Sequence, residues 1–144
     1  MSKANSTENA LLLLIFNATT WDLIAENDTT SPATNLYIAL HTADPGEAGA
    51  QNTNETAYTN YTRVAVARTS GGWTVTGSSV VNAALIQFPQ CGVTGATITH
   101  VSIGTASSGA GTILYSGALN SSLAVSNLIQ PQFAAGGSLS VTED

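Results

Sequence analysis

The sequence predicts a mainly β protein: a jelly-roll-like antiparallel β-sandwich of about eight or nine strands fronted by one N-terminal helix. Three observations lead there. Beyond residue 34 the chain is a succession of short β-branched runs cut by Gly, Ser, Asn and Pro, the texture of strands and turns. Apolar side chains in those runs recur with period two, and no helical period appears among them. The intervals between runs are too short for repeated crossover helices, so strands pair antiparallel and the sheets must stack or close.

At the amino end, Ser6 or Thr7 offers a polar cap with Glu8 in the first turn, which opens a helix running to about Ile24. It breaks at "NATT" and resumes at "TWDLIAEN", with Leu11, Leu14 and Ile15 sharing a face. "NDTTSPAT", residues 27–34, is a loop dense in turn formers. Residues 1–34 are therefore a helix and connecting loop, either an arm gripping a neighbour or a plug on its own domain, and residues 35–144 are the β-domain.

Strands are expected at 36–41, 61–68, 73–77, 84–88, 97–104, 113–119, 122–125, 129–133 and 139–142. In the first, Leu36, Ile38 and Leu40 face one side while Tyr37, Ala39 and His41 face the other. The polar loop that follows, residues 42–58, exceeds the ~12–15 residues beyond which structureless connections become uncommon. It carries Asp44, Glu47 and Glu55.

Charge narrows the function. Only Lys3, Arg63 and Arg68 are basic against nine acids, a formal net charge of −6. With no basic cluster to displace counterions, neither nucleic acid nor an anionic membrane surface is an expected partner. Charged residues are only 8% of the chain, which suits a surface covered by other subunits. Cys91 is alone, so no intrachain disulfide forms. "ALLLLIF" is far shorter than the ~20 residues that span a bilayer, and no small-residue cleavage site follows it.

No motif carries catalytic chemistry. His41, Asp44 and Glu47 are evenly spaced like ligands, but the intervening Pro45 and Gly46 make "DPGE" the residue order of a type II turn, which explains the spacing without a metal. Serines are plentiful, none in a nucleophile elbow, and Cys91 with His100 matches no pattern. Gly104 and Gly109 stand at phosphate-loop spacing, but Ala110 and Gly111 replace the required Lys-Ser/Thr, so this is a hairpin loop. The chain is expected to be no enzyme and to hold no cofactor. Arg63 and Arg68 frame "RVAVAR" and pair with carboxylates of the preceding loop, within the chain or across a subunit boundary, or blunt a strand edge; Trp73 packs on the core or anchors an interface.

Taken in order, "LYIALHTADPGEAG", Tyr61 with "RVAVAR", "GGWTV", "VNAALIQFP", "ITHVSIGTASSGAGTILYSGAL" and "IQPQFAAGGSLSVTED" resemble a family of small tailed-bacteriophage virion proteins, and the similarity includes "ENALLLLIF". Members are labelled head decoration (cement) or tail-fibre-like proteins. The resemblance implies a virion structural role, assembled in the host cytoplasm. A single β-domain without a fibre shaft directs the expectation to the capsid exterior, where the chain would clamp the major capsid protein as a homo-oligomer, a trimer preferred over a dimer. The alternative is a tail-fibre-like or tail-tip protein binding a host receptor. Interface residues expected on either reading are Leu11, Leu14, Ile15, Asp44, Glu47, Glu55, Tyr58, Tyr61, Arg63 and Arg68.

Overall fold

A computed structural model describes residues 3–143. Among them lie one helix, α1 (Asn5–Asn17), and nine strands: β1 (Asn35–His41), β2 (Val64–Ala67), β3 (Trp73–Thr76), β4 (Ser79–Asn82), β5 (Ile86–Gln87), β6 (Ala96–Gly104), β7 (Ile113–Val125), β8 (Gln132–Phe133) and β9 (Ser140–Thr142). The mainly β, antiparallel class with an N-terminal helix is as the sequence predicts. The sheets have orders β2-β1-β6-β7, β3-β4-β9 and β5-β8.

The chain divides into two compact units. One comprises residues 1–35, 67–86 and 133–144, and the other residues 36–66 and 87–132. In the first, α1 packs on β3 and β4. Its fully buried apolar residues are Leu12 and Phe16, joined by Glu8, and the Phe16 ring meets Trp73 edge-on at 4.8 Å. The spacing of four puts these three on one stripe. Leu11, Leu14 and Ile15 flank that stripe half-buried, because a run apolar all round gives the period nothing to select. Asn82 is buried on β4; its amide donates to the carbonyls of Ala84 and Ala134 and accepts from the Leu139 N–H, tying three segments together.

The helix ends earlier than expected. Ala18 takes a left-handed φ of 53°, and the Thr19 N–H bonds back to the Leu13 carbonyl, a C-terminal closure after which no helix resumes. β4, "SVVN", lies in a stretch given no strand by the sequence; its short apolar pair becomes a strand because β3 and β9 pair on either side of it.

The second unit is built on β1 and β6, paired from Tyr37 opposite Gly104 to His41 opposite His100. Ile38, Leu40, Ile98 and Ile103 are buried. The runs 113–119 and 122–125, expected as two strands, are one: Ile98 pairs Leu123 and His100 pairs Ala118, so residues 119–122 bulge opposite Thr99 alone. β1 also departs from simple alternation. Ala39 and His41 are as buried as Leu36, Ile38 and Leu40, because the long polar loop covers the second face.

Candidate functional site

The polar loop after β1 is where the predicted site residues concentrate, and its order comes from a closed network inside the second unit. His41 ends β1 in an isolated bridge with Glu55. Its Nδ1 lies 2.9 Å from the Thr53 carbonyl, which only accepts, so Nδ1 carries the proton and Nε2 accepts from the Ser102 hydroxyl at 2.8 Å. Burial holds the imidazole pKa below its ordinary value, against the raising effect of the Thr53 bond. His41 thus tethers a loop to a strand from a fully buried position.

Arg63 is the centre of the network, only 8% exposed. Nε and Nη2 grip the two oxygens of Glu55 at 2.7 and 2.8 Å, a bidentate fork. Nη1 donates to the Ala106 carbonyl at 2.8 Å and to Gln51 Oε1 at 3.4 Å, and Nη2 also donates to the Gly109 carbonyl at 2.6 Å. All five guanidinium N–H groups are engaged. The Glu55 hydrogen bond, with its charge, outweighs burial and raises the Arg63 pKa. The expectation that Arg63 pairs with a loop carboxylate is met, and Glu55 is the one.

Two further residues complete the cluster. The Tyr61 hydroxyl donates to Glu55 Oε1 at 2.9 Å and accepts from the Leu40 N–H at 3.0 Å, and burial raises its pKa. Gln51, fully buried, donates to the Tyr37 carbonyl and accepts from the Ala106 N–H. It explains Gly104 and Gly111: a Cβ at either would lie 2.2 or 2.3 Å from the Gln51 side chain. These glycines make room for an amide, and sequence reasoning missed Gln51 because a lone Gln in a polar loop carries no pattern.

Around this cluster lies a cleft of about 510 Å³ whose lining includes Glu55, Tyr58, Tyr61, Arg63, Ser107 and Gly109. Tyr58 is buried, donates to the Pro89 carbonyl at 2.9 Å, and has its pKa pushed up to about 12, chiefly by burial. Tyr61 stands edge-on to Tyr58 and stacks on Phe88.

Asp44 and Glu47 are exposed. Gly46 has the positive φ, 72°, that the turn requires. The turn is closed by the Asp44 carboxylate, which accepts from the Gly46 N–H at 2.8 Å, and the Asp44 carbonyl accepts from Asn54 Nδ2. His41, Asp44 and Glu47 do not converge, and no group of three His, Cys, Asp or Glu side chains among the described residues is placed to hold a metal.

Arg68 belongs to the other unit. Nε and Nη2 donate to the Ile15 and Leu14 carbonyls, and Nη1 to Asn27 Oδ1 and the Ala33 carbonyl, at 2.7–3.0 Å. Among the described residues it meets no carboxylate, so the within-chain pairing open to it is not made; the unpaired carbonyls of the last turn of α1 are the acceptors within reach. Burial lowers its pKa.

What these observations define is a small antiparallel β protein whose long loop is bound into its own fold, with polar side chains used for holding shape. Residues 2–142 match the family model described as "Podophage GP4 fiber I protein gp80". The match spans nearly the whole chain, which belongs to that family, a family of phage virion structural proteins. No curated protein matches the chain. No helix among the described residues is long and apolar enough to cross a membrane.

Proposed function

We propose that this phage virion protein is a tail-fibre-like structural component that works by contact rather than turnover, positioned on the particle's exterior and reaching neighbouring subunits or a host receptor through its loops. The observation that carries this is the family match over residues 2–142, whose description is of a fibre protein. The site geometry supports a binding role. Arg63 and His41 are committed to internal bonds, while Asp44 and Glu47 project from a loop held rigid by that network, which lowers the entropy cost of ordering a contact loop.

The second reading places the same protein on the head, as a decoration protein that clamps major capsid subunits as a homo-oligomer, trimer before dimer. A chain with few charges and rigid loops supports either location. Labelling the protein on purified virions and imaging them separates the two: signal along a fibre or the tail is expected, and signal distributed over the capsid lattice overturns the fibre reading in favour of decoration.

A further inference from the structure

Each unit displays the same local oddity. In "WDLIAEN" the Ile24 N–H donates to the Trp21 carbonyl at 3.0 Å, closing a β-turn whose third residue, Leu23, has φ 66°. In "SNLIQPQ" the Ile129 N–H donates to the Ser126 carbonyl at 2.9 Å, and the third residue, Leu128, has φ 70°. That position calls for Gly or Asn, since a Cβ there crowds the following carbonyl. A leucine with positive φ is unfavourable, and here the strain serves no internal packing. Leu23 is 104% exposed and Ile24 68%; Leu128 is 68% exposed and Ile129 41%.

Both turns are braced. Trp21 and Ala25 exchange two backbone hydrogen bonds at the neck of the first, and Arg68 ties the chain on either side of it through the carbonyls of Leu14, Ile15 and Ala33. The second is held by the Leu128 N–H on the Cys91 carbonyl, the Cys91 N–H on the Ile129 carbonyl and the Gln90 amide on the Leu128 carbonyl. Two Asx-Leu-Ile turns, each strained, braced and aimed at solvent, are arranged as preformed apolar anchors.

We propose that these two turns insert their Leu-Ile pairs into apolar pockets of a different virion protein, the pocket for the first turn being rimmed by basic residues. Charge selects this occupant. Asp22 and Glu26 flank Leu23 and Ile24 and are exposed. A second copy of the chain has no basic rim to offer, because Arg63 and Arg68 are spent internally and Lys3 pairs with Glu143. The same acids oppose an anionic lipid surface. The second turn lies in a stretch, residues 69–142, with no Asp, Glu, Lys or Arg, so its pocket needs no charge. The proposal rests on the chain's being a virion component, and is independent of which part of the particle carries it.

The test uses virions grown without the protein, mixed with purified full-length chain and separated by sedimentation. Leu23→Gly and Leu128→Gly remove the anchors while suiting the backbone, so each is expected to keep or raise Tm, by about 2 °C, while lowering particle binding about tenfold or more. Asp22→Asn with Glu26→Gln is expected to weaken binding and flatten its salt dependence, and Leu85→Ser, at another exposed apolar residue, to change nothing. Both glycine variants binding like the wild type overturns the proposal. So does loss, in Leu23→Gly, of wild-type self-association in sedimentation velocity or of binding to phosphatidylcholine vesicles, which would assign the turn to a second copy or to lipid. A wild-type chain that itself fails to bind the particles overturns the virion-surface reading, and the anchors with it.

Discussion

Arg63 and Arg68 stand five residues apart at the two ends of "RVAVAR" and do opposite things. Arg63 is buried with its charge matched by a bidentate carboxylate and its pKa raised. Arg68 is half-buried, bonds neutral oxygens among the described residues, and has its pKa lowered. One residue type therefore serves as the charge-compensated core of a loop network in one unit and as a cap on the last turn of a helix in the other. The acceptor decides the energetics: a paired buried charge is costly to break, whereas a helix-end contact is one modest bond among several.

The chain supplies probes that keep the two regions apart. All four tyrosines fall in the Arg63 unit and both tryptophans in the Arg68 unit. The largest effect is expected from Arg63→Met, which leaves Glu55 without its counter-charge and should cost about 3–5 kcal/mol in denaturant unfolding followed by tyrosine fluorescence. If the loss is no larger than that of Arg68→Met, the contrast fails.

Gly104→Ala comes next. Its Cβ would overlap the Gln51 amide and, at 2.5 Å, the Thr112 carbonyl, so it should cost about 1–3 kcal/mol through the same network. Arg68→Met should cost about 1–2 kcal/mol, read by tryptophan fluorescence, by freeing the α1 carbonyls. Its effect should appear first as lost helix signal in far-ultraviolet circular dichroism.

The smallest effect is a pH dependence confined to the Arg63 unit. His41 has a folded pKa below the unfolded value of 6.5, so the unfolded chain binds the proton more readily. Its contribution to stability is then complete above pH 6.5 and is lost as pH falls toward the folded pKa. The wild type should lose stability on acidification through that window, and His41→Gln should remove the slope there at the expense of lower stability at neutral pH.

How far the sequence reached differs by element. The β1 run was legible because five of its seven residues are apolar and a Pro-Gly turn closes it. The reach of α1 was not, since "TWDLIAEN" has helical composition but is turned back by local hydrogen bonds at Trp21 and Ala25. The pairing of Arg63 with a loop acid was legible from charge scarcity. That Glu55 was that acid, and that Tyr58 lies buried beside it, depended on how the loop folds over β1. That Arg68 bonds the carbonyls of Leu14, Ile15 and Ala33 was not legible, because carbonyl oxygens leave no mark in a sequence.

The class of the molecule follows from local pattern: period-two runs require strands, short intervals require antiparallel pairing, and an ordered set of local phrases identifies a virion protein family. Which polar residues are spent and which remain available follows from the folded arrangement. Folding brings Arg63 within bonding distance of Glu55, Gln51 and, 46 residues away, the Gly109 carbonyl, and His41 within reach of Ser102, 61 residues away, while backbone closure pushes Leu23 and Leu128 outward. Hydrophobic patterning is written residue by residue along the chain, but the satisfaction of a buried polar group depends on partners that only folding brings near.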